Sequence, residues 1–279
     1  MYHRVIARLD IKGTDLVKGI QLEGLRVLGS PAEFARYYYE SGADELLYMD
    51  VVASLYQRNS LRELIEVTAK EIFIPLAVGG GLRSVEDIRA VLRSGADKVV
   101  INTAAISNPQ LISEAAKLFG SSTIVVAIEA IRNSTGKYFA YTDNGRNETG
   151  IEVLAWARRV EELGAGEIIL TSVNNEGGMK GFDCELVKMV SSAVGIPVVA
   201  HGGCGRVGDV ARVITDGGAD AVAVASVIHY QALVDGKIAE ASALSGNTSF
   251  LRAQKGERKG VSILEIKSDL KAQGIACRI

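Results

Sequence analysis

The sequence predicts an α/β protein of the (β/α)8 TIM-barrel class, built as two half-barrels and occupying residues 1–279 as a single domain. Three observations predict it: eight apolar runs of strand length, amphipathic segments between them, and a repeat that relates the two halves of the chain. The runs are Val5–Leu9, Leu46–Val52, Ile72–Val78, Lys98–Ile101, Thr123–Ile128, Ile168–Thr171, Ile196–Ala200 and Ala221–Ala225. They are rich in Val and Ile and apolar on both faces, as parallel strands between covering helices and a packed interior require. In the repeat, Gly42-Ala-Asp-Glu-Leu-Leu47 matches Gly164-Ala-Gly-Glu-Ile-Ile169. At the same spacing, Ile74-Pro-Leu-Ala-Val-Gly-Gly-Gly81 matches Ile196-Pro-Val-Val-Ala-His-Gly-Gly203. A doubly wound open sheet usually has fewer strands, and a solenoid repeats at a shorter period in more copies.

In chain order, the first run leads to Asp10, and the loop after it carries Lys18. Ser30-Pro31 opens a helix that ends at Gly42. The second run reaches Asp50. The third ends in Gly79-Gly80-Gly81, and Ser84-Val-Glu-Asp87 then reads as a capping-box start to a helix ending before Gly95. The fourth run delivers Asn102 and Thr103, and the fifth delivers Glu129. Thr149-Gly-Ile-Glu152 precedes a helix ending at Gly164. Thr171 and Ser172 close the sixth run. His201-Gly-Gly-Cys-Gly205 follows the seventh, before a helix begun near Val207, and Ala225-Ser226 follow the eighth. An insertion near 233–260, carrying Arg252, Lys255, Arg258 and Lys259, intervenes before the last helix.

Composition narrows the function. Lys plus Arg number 31 and Asp plus Glu 33, a net charge of -2, which argues against a nucleic-acid or membrane-surface binder. No uncharged apolar run approaches the roughly 18 residues of a membrane span. The start, Met1-Tyr-His-Arg4, holds no apolar signal region, so a cytoplasmic protein is expected. Three scattered cysteines form no CxxC pair. A zinc ribbon or a disulfide framework is therefore not expected, and no metal and no cofactor is expected.

Barrel enzymes work at the C-terminal ends of their strands. Two glycine loops lie there, Gly80-Gly81 with Thr103 and Gly202-Gly203 with Ser226. Glycine lets backbone N–H groups approach phosphate oxygens, so a substrate with a phosphate at each end fits; the same glycines also suit tight turns. Asp10 and Glu129 correspond across the repeat and suit general acid and base work, or an ion pair with Lys18 or Arg8. Lys18 suits charge stabilisation or a solvated surface. Arg4, Glu45, Lys98 and Glu167 stand at strand starts, on the barrel floor, with alternating signs. They fit a stabilising salt-bridge ring or a gate.

Together these residues resemble the cyclase subunits of imidazole glycerol phosphate synthase, barrels of histidine biosynthesis. The likeness runs from Arg4 to about Tyr230 and resumes at Val261–Ile275. Its motifs include Leu9-Asp-Ile-Lys12, Leu16-Val-Lys-Gly19, Val78-Gly-Gly-Gly81, Gly95-Ala-Asp-Lys98, Ile101-Asn-Thr103 and Leu170-Thr-Ser172. The resemblance implies that ammonia attacks a bisphosphorylated formimino-aminoimidazole-carboxamide ribonucleotide. Ring closure and lyase cleavage then give imidazole glycerol phosphate and an aminoimidazole carboxamide ribotide. It implies Asp10 and Glu129 as the catalytic pair with Lys18 beside them. It places Asp50, Gly80, Gly81, Asn102, Thr103, Thr171, Gly177, Gly202, Gly203, Ala225 and Ser226 around the substrate. It also makes Arg4, Glu45, Lys98 and Glu167 a gate for ammonia from a glutaminase subunit docked on the floor.

The chain departs from the family pattern on the catalytic face. Glu129 replaces an aspartate, Asn174 and Glu176 stand where two aspartates are usual, His201 replaces a serine and Arg8 a cysteine. With the insertion, these departures also resemble cyclase-like paralogues of surface-polysaccharide biosynthesis. There the barrel conducts ammonia from a glutaminase to a sugar-amidating enzyme.

Overall fold

The computed structural model describes residues 2–53, 61–236, 238 and 260–278. Eight parallel strands close on themselves. β1 (Arg4–Lys12) pairs with β4 (Glu45–Asp50), and the ring continues through β5 (Leu76–Gly79), β6 (Lys98–Ile101) and β7 (Ile124–Arg132). It then passes through β10 (Glu167–Ser172), β11 (Val198–His201) and β12 (Ala221–Val224), which returns to β1 with Arg4 opposite Ala221. This is the (β/α)8 barrel that the eight runs predict.

Side chains alternate along each strand, so the barrel has two cores. On β1, Val5, Ala7, Leu9 and Ile11 join the outer core between strands and helices. Ile6 joins a separate inner cluster with Leu47, Ala77, Val100, Val125, Ile169, Val199 and Ala221. By the same alternation Arg4, Arg8 and Asp10 face inward with Ile6.

The helices outside the ring follow the expected order. The first, Pro31–Glu40, has its proline in the first turn, where the missing N–H costs nothing. The helix Val85–Arg93 begins with a complete capping box: Ser84 Oγ accepts from Asp87 N at 3.1 Å and Asp87 accepts from Ser84 N at 3.1 Å. Two further helices, Thr103–Ser107 and Ser226–Val234, start directly after β6 and β12. Their N-cap residues share one backbone conformation, φ -131° and ψ -83° at Asn102 and φ -134° and ψ -86° at Ala225. The half-barrel repeat is thus visible in dihedral angles as well as in sequence.

Four strands lie outside the sequence expectation. β2 (Asp15–Ile20) and β3 (Glu23–Gly29) extend antiparallel from β1, and β8 (Tyr138–Thr142) and β9 (Asn147–Glu152) extend from β7. They occupy matching places in the two halves. Lys18 therefore sits in β2 rather than in a loop. The third run also starts later than expected: Ile72 ends the preceding helix and the strand begins at Leu76.

Gly260 packs against Gln231, and the final helix, Ile263–Ala272, opens with a capping box between Ser262 and Glu265. That helix is tied to the first half by a buried pair, Lys267 Nζ to Asp44 Oδ1 at 2.7 Å. Most of the 233–260 insertion, including Arg252, Lys255, Arg258 and Lys259, lies outside the described residues. Among the described residues no helix is long and apolar enough to cross a membrane.

Candidate active site

The strand ends gather at one mouth. A cavity of about 260 Å³ opens there, lined by Arg8, Asp50, Gly80, Gly81, Asn102, Thr103 and Glu129 among others. Gly80 has φ +102°, and a Cβ would lie 2.4 Å from the Asp50 carbonyl, so glycine is required where strand meets loop. Thr103 Oγ1 accepts from Asp143 N at 3.1 Å and pins the β8–β9 turn over the cavity. Asn102 Oδ1 is buried with no hydrogen-bond partner among the described residues, which is uncommon for a buried acceptor.

Glu129 and Asp10 differ in charge state because their surroundings differ. Glu129 Oε2 accepts from Gly145 N at 2.8 Å. Burial pushes its carboxyl up to about 7, and the Gly145 N–H, Arg8 and Asn102 pull it back only in part. Asp10 is equally buried, which alone would raise it. The Arg8 charge, then Lys18, outweighs burial and holds it below the ordinary carboxylate range. Arg8 Nε donates to Asp10 Oδ1 at 2.8 Å. Two carboxyls in one mouth with opposed ionisation are the arrangement that acid–base catalysis needs.

The second set of residues lies beside this cavity rather than among its lining. Arg8 Nη1 donates to His201 Nδ1 at 3.2 Å, and Thr171 Oγ1 meets the same nitrogen at 3.2 Å. Burial, then Arg8 and Lys18, depresses His201 well below its usual value, so the ring is neutral and Nδ1 accepts. Lys18 is buried and ion-paired with Glu176, whose other oxygen accepts from Leu22 N at 2.9 Å. Gly177, at φ +68°, passes so close to β2 that a Cβ would lie 2.7 Å from Gly19 O. Gly203 O accepts from Gly181 N at 2.7 Å, and Ser226, at the start of the helix after β12, is buried. Lys18 is thus no surface lysine, and Asp10 does form the ion pair with Arg8.

The sequence offers Arg8 as an ion-pair partner for Asp10 and His201 as the head of the second glycine loop, but not their contact with each other. They are the side chains that join the two halves of the mouth, a role carried by spatial pairing across 193 positions. Arg83 also lines the cavity and donates to Ala53 O at 3.0 Å. Its signal was its place directly after the first glycine loop.

At the opposite end, the four floor charges are the first residues of β1, β4, β6 and β10. They close a ring. Arg4 Nη1 meets Glu45 Oε2 at 2.5 Å and Arg4 Nη2 pairs with Glu167. Lys98 Nζ meets Glu45 Oε2 at 3.0 Å and Glu167 Oε2 at 2.9 Å. The glutamate side chains are 4% and 7% exposed, the Arg4 and Lys98 side chains 28% and 19%. Burial raises Glu45, against the pull of Lys98 and Arg4.

A closed (β/α)8 barrel with buried Asp10 and Glu129 at the C-terminal strand ends has the architecture of a TIM-barrel enzyme. The family described as histidine biosynthesis protein matches residues 4–234, and the chain belongs to that family. It is 60% identical over 203 residues to imidazole glycerol phosphate synthase subunit HisF of Legionella pneumophila, spanning 73% of this chain and 96% of that relative. The HisF subunits of Alkaliphilus metalliredigens and Petrotoga mobilis are 46% and 47% identical, each over 81% of this chain and 90% of the relative.

Proposed function

We infer that the chain is the cyclase subunit of an imidazole glycerol phosphate synthase, an enzyme of histidine biosynthesis in the cytoplasm, supplied with ammonia by a glutaminase subunit. The observation that carries this reading is the order of features along one barrel axis. The charged ring stands at the floor, the apolar inner cluster above it, and Asp10 and Glu129 at the mouth. The glutaminase docks on the floor face and releases ammonia at Arg4, Glu45, Lys98 and Glu167. Neutral ammonia then crosses the apolar cluster, which water and ions enter at high cost.

At the mouth, Gly80, Gly81, Asn102 and Thr103 hold one phosphate of the bisphosphorylated ribonucleotide. Gly177, Gly202, Gly203, Ala225 and Ser226 hold the other, and Asp50 and Thr171 orient the chain between. Ammonia adds to an electrophilic carbon of the substrate, the displaced bonding pair passes to the oxygen attached there, and the resulting ammonium gives a proton to ionised Asp10. Protonated Glu129 hands a proton to the departing fragment. Lys18 steadies negative charge beside Asp10. The test is a steady-state assay of the chain with the formimino-aminoimidazole-carboxamide ribonucleotide and an ammonium salt, with imidazole glycerol phosphate as the product measured.

One observation favours a second reading. Arg8, His201 and Glu129, three departures from the family pattern, meet at the catalytic face while the floor ring is complete. In that reading the chain conducts ammonia from a glutaminase to a sugar-amidating enzyme. No turnover of the ribonucleotide, with ammonia transfer retained, selects it over the first.

A further inference from the structure

Arg8 occupies the inward column of β1, one step above Ile6 of the apolar cluster and one below Asp10. It is 4% exposed. Its head reaches His201 on β11 and also lines the cavity walled by Asn102 and Glu129 of β6 and β7. A side chain that touches both sides lies across the barrel axis. The β1–β4 register sets Leu47 opposite Arg8, while Gly79 on β5 and Ala127 on β7, also inward, are small. With Ala at position 8 these small residues would leave the column open to the mouth.

We propose that Arg8 is a stopper at the upper end of the axial passage, a positioning residue that closes the apolar column beneath the active site and is drawn aside when an anionic substrate seats above it. Two of its N–H groups are engaged, Nε by Asp10 and one on Nη1 by His201. Arg8 also lines the cavity, and a guanidinium fork suits a phosphate or carboxylate oxygen there. An entering anion competes with Asp10 and His201 for the guanidinium, because it offers the planar fork a further set of acceptor oxygens. Such a stopper joins ammonia release to occupancy of the site. The proposal rests on the ammonia-conduit reading above.

The test compares Arg8→Ala with Arg8→Met in the complex with the glutaminase subunit. Both remove the partner of Asp10 equally, so their difference reports the passage alone. Alanine opens the column, while methionine refills it with a side chain that no anion draws away. Two ratios are measured: glutamate released per product formed, and the glutamine-driven rate over the ammonium-driven rate. Arg8→Ala is expected to release several-fold more glutamate per product than the unmodified chain. Arg8→Met is expected to lower the glutamine-driven rate several-fold relative to the ammonium-driven one. Equal ratios in the two variants overturn the proposal. Should either variant misfold, Arg8→Lys keeps a cation near Asp10 but lacks the planar head. Its side chain fills the column and can still move toward an anion, so both ratios are expected near those of the unmodified chain, and a several-fold rise in glutamate released per product counts against the stopper. Lys98→Met at the floor separates the two ideas. If it alters the ratios while the Arg8 variants agree with each other, the stopper fails and the conduit stands. If it too leaves them unchanged, the conduit reading fails and takes the stopper with it.

Discussion

Asp10 and Arg8 sit two residues apart on the inward side of β1, joined by a 2.8 Å hydrogen bond from Nε to Oδ1 and both buried. The arginine keeps the carboxylate ionised in a place where burial alone would protonate it. Asp10 can therefore take a proton but has none to give near neutral pH. Asp10→Asn preserves size and removes that capacity. Turnover is expected to fall by roughly 10²–10⁴-fold with substrate affinity retained. Steady-state kinetics beside direct binding of the ribonucleotide checks this, and an unchanged turnover would refute the role of Asp10 as base.

Glu129 sets the opposite limb. Its folded value of about 7 lies above the ordinary 4.5, so the folded state binds more protons than the unfolded state between these values. Stability associated with this group is full below about 4.5 and is lost as pH rises through about 7, a difference of roughly 3 kcal/mol at most. Activity that needs the protonated form falls over the same upper range. Glu129→Gln keeps the amide-sized head near Gly145 N and cannot titrate. Denaturant unfolding at pH 5 and pH 8 should show a smaller pH dependence in the variant than in the parent. The ammonium-driven rate should drop, and its decline near pH 7 should disappear.

The extent to which these features were legible follows from what alternation exposes. Strand ends were readable because buried parallel strands are short apolar runs, and a charge at the start of such a run marks the floor. That is why Arg4, Glu45, Lys98 and Glu167 fall on the first residues of their strands. The hairpins β2–β3 and β8–β9 were not readable. Asn147–Glu152 carries one large apolar residue, Ile151, and Lys18 interrupts the pattern of β2 although its side chain is buried. Ion pairing with Glu176 made that burial possible, and a pairing between positions so far apart leaves no local trace. The same holds for Arg8 and His201.

The glycine loops give a third test. Gly80 and Gly203 stand at φ +102° and +106°, and an added Cβ would lie 2.4 Å from Asp50 O and 2.1 Å from Gly181 O. Alanine at either position distorts the loop that presents backbone N–H groups. Phosphate titration followed by phosphorus NMR should find two sites per chain. Thr103→Val should weaken the site beside Asn102 and leave the other, because its hydroxyl is on the first loop's side of the mouth. A single site in the parent chain, or equal weakening of both by Thr103→Val, would contradict the two-loop arrangement.

Lys98 bridges Glu45 and Glu167 from the side opposite Arg4, and its side chain is 19% exposed, so part of its charge is already solvated. Removing it leaves two buried carboxylates sharing Arg4 alone. Repulsion between them then favours protonation of one, since burial already raises Glu45. Lys98→Ala is therefore expected to destabilise the barrel by at most about 3 kcal/mol, less than a fully buried pair because water reaches the gap. Ammonium-driven turnover should change little, since ammonia reaches the mouth from solvent. Glutamine-driven turnover with the glutaminase subunit should fall, because the widened floor leaks or docks poorly. The two rates are measured in the same preparation, alongside its unfolding midpoint. Equal loss of both rates means the ring serves the stability of the barrel, and the floor then has no part in handling ammonia.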